Sequence, residues 1–329
     1  GLIETVGSGE PRIDYKDDSK GALKLEPSRS NLIKSSGDIS TQSTYWLPNQ
    51  GGTSVQNATT APDGSNTASQ INTFGQQYGG ITQGSISVSN TEYTYSVYLK
   101  AKNGTPNIRL IFFDGATFHS SDFTISSEWK RYDYKFTPVS GSFQIYITCP
   151  NVEASFYSWG AQLEQGSYAT SYIPTQGSAV TRVADVCNNG ANEQVINSTE
   201  GVLYAEMSKS DVTAGEGGIR LSKDINNEIR LNFATNNRLN VFVNVGGSNQ
   251  IYYDNTNYNL SDYHKIAIKY KLNDYAIYVD GTQIHTETSA TVSTGLDKIN
   301  YSTFYGKTKE IKLYNTALTD QELINLTTI

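Results

Sequence analysis

Short runs of alternating apolar and polar residues, each closed by a turn-former, recur through most of this chain and commit it to sheet. Tyr93-Thr-Tyr-Ser-Val-Tyr-Leu-Lys100 alternates along its whole length. Asn107-Ile-Arg-Leu-Ile-Phe-Phe-Asp114 follows and stops at Gly115. Trp129-Lys-Arg-Tyr-Asp-Tyr-Lys-Phe136 puts Tyr132, Tyr134 and Phe136 on one side. Ser142–Thr148 and Ser155–Leu163 complete a first set. A second set begins at Gly201–Met207 and continues through Gly218–Leu221, Asn227–Phe233, Arg238–Val245 and His264–Tyr270. Tyr275–Ile284 contains Asp280-Gly281, the dipeptide of a tight hairpin turn. Lys309–Tyr314 is the last run. Side chains on a strand point to opposite faces in turn, so each run buries one face and shows the other. Closely spaced strands with turns between them make sandwiches or jelly rolls.

Only the tail reads as a helix. Thr319-Asp-Gln-Glu322 has capping-box spacing, and Leu323, Ile324 and Leu326 would seat the helix on a sheet. The chain has 329 residues, enough for two domains. The expected order is a strap over 1–20, a sandwich over 21–175, a connector over 176–189 and a second sandwich over 190–329. In this order Gly21–Pro27 is an outer strand of the first sandwich. The fold class is therefore all-β, two tandem β-sandwich domains with a short C-terminal helix.

The net charge of −7 and the lack of a Lys/Arg cluster argue against nucleic-acid binding. No run approaches the roughly 18 apolar residues of a membrane span. Gly1-Leu2-Ile3-Glu4 has neither a basic nor an apolar region of a signal peptide, and no initiator Met, which suits a fragment or a processed chain. Cys149 and Cys187 are too few for a disulfide scaffold or a Cys-based zinc site, and free thiols are expected.

Several phrases carry a resemblance. Gly21-Ala-Leu-Lys-Leu-Glu-Pro-Ser-Arg-Ser-Asn-Leu-Ile33 resembles the opening of a family of bacteriophage structural proteins. That family commonly reads G-L-L-x-E-x-A-R-T-N-L-L there, so Ser28 and Ser30 depart mildly. Trp46, Ala61-Pro-Asp-Gly-Ser-Asn-Thr-Ala68, Trp159-Gly-Ala-Gln-Leu-Glu164, Thr170-Ser-Tyr-Ile-Pro-Thr175 and Ala179-Val-Thr-Arg-Val-Ala-Asp185 continue it in order. The strands between are similar to jelly-roll carbohydrate-binding modules, above all at Glu128-Trp-Lys-Arg-Tyr132. Residues 190–329 resemble the laminin-G-like, concanavalin A-like sandwich, on Ala276-Ile-Tyr-Val-Asp-Gly281 and the closing phrase Gly306–Glu322. A fold of this kind serves many functions.

Motifs of catalysis are missing. Residues 190–329 lack the E-x-D-x-x-E pattern whose carboxylates sit about 5 Å apart in retaining glycosidases. Glu206, Glu228 and Glu310 read as isolated, solvated strand carboxylates. His119, His264 and His285 have no metal-ligand spacing, and neither H-E-x-x-H nor G-x-S-x-G occurs. Sugar binding needs an aromatic ring for the apolar face of a pyranose and polar neighbours for its hydroxyls. Tyr45, Trp46 and Tyr78 lie in a Ser/Thr/Asn/Gln-rich stretch of that composition, with Trp46 equally readable as a core anchor. His119, read as a loop residue, and Tyr252 and Tyr253, read with Tyr258 as an Asn-rich loop, complete the candidates. No cofactor is expected beyond structural calcium, for which Glu164, Asp280 and Asp297 are candidates without diagnostic spacing.

The expected function is non-catalytic adhesion to host or environmental glycans from a virion surface, as part of a tail fibre, head fibre or spike. The expected partners are a polysaccharide or cell-surface glycan and other virion proteins, without nucleic acid. The resemblance implies a homo-oligomer, with a trimer the symmetry to test, although no heptads enforce it. A structural connector or decoration protein, or a polysaccharide depolymerase or lyase, are the alternatives.

Overall fold

The computed structural model describes residues 3–16, 18–213 and 215–329; Gly1 and Leu2 of the N-terminal reading lie outside them. The chain forms two compact units, Gly1–Thr5 with Ser28–Val183, and Val6–Pro27 with Ala184–Ile329. Both are β-sandwiches. Among the described residues no helix is long and apolar enough to cross a membrane.

The first unit pairs two five-stranded antiparallel sheets. One runs Phe118–Thr124, Asn107–Phe113, Gly141–Thr148, Gly80–Val88, Trp46–Asn49. The other runs Lys130–Phe136, Tyr93–Ala101, Glu153–Gln165, Ala68–Phe74, Thr53–Thr59. Ile108, Leu110, Phe112, Ile145 and Ile147 of the first meet Tyr95, Val97, Leu99 and Phe156 of the second in one core. Trp159 belongs to a smaller apolar cluster with Ala61, Ala68, Tyr98, Trp129 and Tyr172. Tyr132, Tyr134 and Phe136 share the core side as the period-two spacing requires.

A buried polar lock holds this unit together. Asn31 is 0 % exposed and uses its whole amide. Its Nδ2 donates to the carbonyls of Ala161 (3.1 Å) and Ile173 (2.9 Å). Its Oδ1 accepts from the amides of Ile33 and Leu163, each at 3.1 Å. Gln162 accepts from the Ile173 amide (2.8 Å) and donates to Glu164 (2.6 Å). Glu164 also accepts from the Thr170 amide (2.8 Å) and hydroxyl (2.6 Å). Three of the recurring sequence phrases thus meet inside one network.

The second unit layers a seven-stranded sheet on a five-stranded one. The seven are Ile13–Asp14, Ala22–Leu25, Gly306–Tyr314, Glu200–Lys209, His264–Lys271, Tyr275–Val279 and Thr282–Glu287 in spatial order. The five are Ser248–Asn255, Arg238–Val245, Asn227–Ala234, Gly217–Asp224 and Lys298–Ser302. The core holds Leu203, Met207, Ile219, Leu231, Val241, Ile268 and Ile277. Asp280 and Gly281 have φ of 50° and 80°, the left-handed pair of a type I′ turn, and Val279 pairs with Thr282 across it. The helix Asp320–Thr327 carries the expected capping box, and Leu323 is buried on Val202, Tyr204, Ala267, Ala276 and Tyr278.

The strand Ala22–Leu25 does not open the first sandwich. Leu23 pairs with Thr308 and Leu25 with Gly306, so it lies in the second unit's sheet. Leu25 enters that unit's core. Next to it, Glu26 is 0 % exposed and is held by Arg12 (2.9 Å) and Lys24 (2.8 Å). Alternation shows that a strand exists, but not which distant strand it joins.

Two outcomes follow. Asn31→Leu keeps volume but orphans two amides and two carbonyls, so urea unfolding should show a loss of about 3 kcal/mol or more. Burial holds the phenols of Tyr172, Tyr270 and Tyr278 up at about 12 and moves those of Tyr95, Tyr275 and Tyr301 in the same direction. A raised folded value stabilises fully below the unfolded value of about 10 and is lost as pH climbs through the folded one. The urea midpoint should therefore fall from about pH 10 upward, together with a cooperative rise in tyrosinate absorbance.

Candidate functional site

The hairpin that joins Asn107–Phe113 to Phe118–Thr124 turns on one carboxylate. Asp114 is 4 % exposed and accepts from the amides of Ala116 (3.1 Å), Thr117 (2.7 Å) and Val139 (3.3 Å). Its Oδ2 lies 2.8 Å from His119 Nε2. Gly115 supplies a φ of 85°. The His119 bond, then the backbone amides, hold the Asp114 carboxyl well below the usual range.

This turn sets Phe118 opposite Phe113. The two rings stack at 4.4 Å between centroids and 27° between planes. Tyr78 adds a third ring on Phe118, at 5.2 Å and 6°. Tyr78 comes from the turn before Gly80–Val88; its amide donates to Gln50 Oε1 (2.9 Å), and Asn49 Nδ2 donates to its carbonyl (2.5 Å). Phe118 is 46 % exposed at the sheet edge.

Polar groups flank the rings. Arg109 and Asp122 are cross-strand partners joined by two hydrogen bonds of 2.5 and 2.7 Å. The next row across the sheet is Ser120, Ile111, Tyr146, Thr82 and Leu47. The Tyr146 hydroxyl donates to Gln144. Ile111 is sealed at 1 % exposure although its neighbours Leu110 and Phe112 are the ones that enter the core. The face is an apolar platform with donors and acceptors along its margin.

Of the residues picked from sequence, Tyr78 alone lies in this stack. Trp46 is a core residue at 0 % exposure, its Nε1 donating to the Ser35 carbonyl (2.8 Å), so it offers no ring to a sugar. Tyr45 is half-buried against Gly177, where a Cβ would meet its hydroxyl at 3.3 Å. His119 sits on a strand, not a loop; its ring stacks on Phe136 at 5.2 Å, on the side opposite Phe118. Phe113 and Phe118 escaped the sequence reading. Asp114-Gly115 was readable as a turn, but Ser, Asp and His dilute the alternation after it.

Tyr252 and Tyr253 also lie on a strand, Ser248–Asn255, so they point to opposite faces. Tyr252 is 55 % exposed beside Phe242 (5.0 Å). Tyr253 packs on the core, its hydroxyl 3.3 Å from that of Tyr258. They cannot share a site.

The calcium candidates are engaged by protein. Glu164 is locked as described. Asp280 accepts from the Lys265 amide (2.9 Å) and pairs with His264 Nδ1 (2.6 Å). Asp297 pairs with Lys298 (2.8 Å). Among the described residues no three His, Cys, Asp or Glu side chains gather as a metal site. Glu206 and Glu310 are not isolated: they are cross-strand partners, paired with Lys309 (3.3 Å) and Lys312 (2.8 Å) respectively. Glu228 is not solvated either, being 1 % exposed. Both cysteines are free thiols.

Asp114→Ala should cost about 3 kcal/mol or more in urea unfolding, because it strands three amides. Its lowered folded value stabilises above the unfolded value of about 3.9 and is lost as pH falls through the folded one. The wild-type midpoint should therefore drop below about pH 4, and the Asp114→Ala midpoint should drop less.

No family model matches this sequence, and no curated protein does. Solved structures with a matching arrangement include the CBM40 of the Ruminococcus gnavus IT-sialidase bound to α2,3-sialyllactose. It shows 16 % identity and TM-score 0.36, over 44 % of this chain and 95 % of that one. The CBM22-1 xylan-binding domain of Paenibacillus barcinonensis Xyn10C matches at 13 % identity and TM-score 0.34, over 45 % of this chain and 100 % of that one. Domains LG4-5 of the mouse laminin α1 chain match at 10 % identity and TM-score 0.30, over 95 % of this chain and 96 % of that one. Likenesses this distant transfer no ligand to the present chain.

Proposed function

We propose that this chain is a non-catalytic glycan-binding adhesion protein, displayed on a virion surface, and that the Tyr78–Phe118–Phe113 face is where it holds sugar. The observation that carries the glycan reading is the stacked Tyr78–Phe118 pair, its planes parallel within 6° at 5.2 Å between centroids, with Phe118 46 % exposed. Aromatic surface left in water is costly unless something covers it. A pyranose ring covers it with C–H groups and turns its hydroxyls to Arg109, Asp122, Ser120 and Gln144 at the margin.

One such site binds weakly. Display of many copies on a particle raises avidity by on the order of 10² to 10⁴. The virion placement is supported by the ordered phrases over residues 21–185, and a homo-oligomer follows from the same resemblance.

A glycan array followed by calorimetry on the full chain tests this. A neutral glycan should bind. Phe118→Ala and Tyr78→Ala should each weaken it at least tenfold, about 1.4 kcal/mol, with unchanged circular dichroism. A silent array would leave the connector reading, in which a neighbouring virion protein covers this face. Reducing ends released from the bound polysaccharide would make the chain a depolymerase.

A further inference from the structure

The outer face of the second unit's five-stranded sheet carries a different chemistry. Ile219, Ile229, Leu231, Val241 and Val243 turn inward to the core. The alternate residues form a row across all five strands. Asn300 pairs with Arg220, Arg220 with Arg230, Arg230 with Phe242, and Phe242 with Tyr252. At the usual strand spacing this row is about 19 Å long.

Two arginines directly opposite each other repel unless an anion intervenes. Glu228 is that anion. It is 1 % exposed, with Arg220 Nε at 2.8 Å, Arg230 Nε at 3.8 Å and Asn244 Nδ2 at 3.3 Å. One carboxylate serves two guanidinium groups, and the next row of the face carries Glu216, bonded to Asn232 (2.6 Å), and Asp254, which pairs with Arg238 (3.5 Å) and accepts from the Tyr252 hydroxyl (2.9 Å). Both Nε atoms are buried beside Glu228 in ion-pair contact without an aligned hydrogen bond to it, and the Nη groups make no hydrogen bond to protein among the described residues. The side chains are 26 % and 25 % exposed. Two guanidinium groups are therefore held beside one carboxylate by charge and stay partly open to solvent.

The surroundings suit a chain-like ligand. Beside Arg220 lies an open recess of about 320 Å³, lined by Asn188, Asn189, Asn300, Tyr301 and Ser302. At the other end Arg230 sits over Phe242 at 4.5 Å, and Tyr252 follows, 55 % exposed. The whole protein carries −7, so a polyanion gains nothing from overall charge. Attraction must be local.

We infer that this face binds an acidic saccharide, with a sugar carboxylate on the Nη groups of Arg220 and Arg230 and further sugar units along the row toward Phe242 and Tyr252. Arg fits a planar carboxylate through two parallel N–H donors, whereas Lys offers only a point charge. The site shares no residue with the Phe118 face and stands or falls separately.

Calorimetry on the full chain tests it with oligogalacturonate, dextran sulfate and dextran. Oligogalacturonate should bind, less well as salt rises, and dextran should not compete. Arg220→Lys and Arg230→Lys keep the charge on Glu228 and the fold, and each should weaken binding at least tenfold. Tyr252→Ala should weaken it several-fold. Oligogalacturonate that fails to bind, or binds both lysine variants as tightly as wild type, would overturn the assignment. So would dextran sulfate binding in its place, which would make the site one for sulfate esters.

Discussion

A pleated strand sends neighbouring side chains to opposite sides, and both binding faces proposed for this protein exist because of it. Leu110 and Phe112 enter the first core, so Phe113 lies on the far side. Ile229 and Leu231 enter the second core, so Arg230 between them lies on the outer face. Core and surface are two readings of one register. A slip by one residue would exchange them, burying Arg230 and exposing Leu231. The cores fix the register, and the register places the outer side chains.

Polar groups inside the first unit add what apolar packing leaves open. Asn31 satisfies four backbone groups at once, and Gln162, Glu164 and Thr170 extend the same lock. These bonds have direction, whereas hydrophobic contact does not. They join residues near 31 to residues near 162 and 173, which brings distant parts of the chain into one fixed arrangement. In the second unit Glu26 has the corresponding part, buried between Arg12 and Lys24. A buried charge left alone would be expensive, so each of these groups is matched.

The two faces differ in what they ask of a ligand. The first presents stacked rings and an ion pair that is already closed, Arg109 with Asp122. It suits an uncharged sugar held by ring contact. The second presents two guanidinium groups over a single buried carboxylate. It suits an anion. In the proposed reading the first face selects its ligand by shape and the second by charge.

By itself, the sequence determined the all-β class, most strands after residue 93, the Asp280-Gly281 hairpin and the capped terminal helix. Each is a local matter of periodicity or turn chemistry. It showed less before residue 93. In Ala68–Phe74, Ser69 and Thr73 are buried beside Ile71, with the Thr73 hydroxyl bonded to the Val152 carbonyl, so the apolar alternation that marks a strand is absent. Tertiary structure alone decided that Ala22–Leu25 joins Gly306–Tyr314, that Trp46 is core, that Tyr252 and Tyr253 part company, and that Phe118 and Arg220 meet their partners. All of these depend on which distant strand lies alongside, and pairing between strands far apart in sequence leaves no local pattern to read.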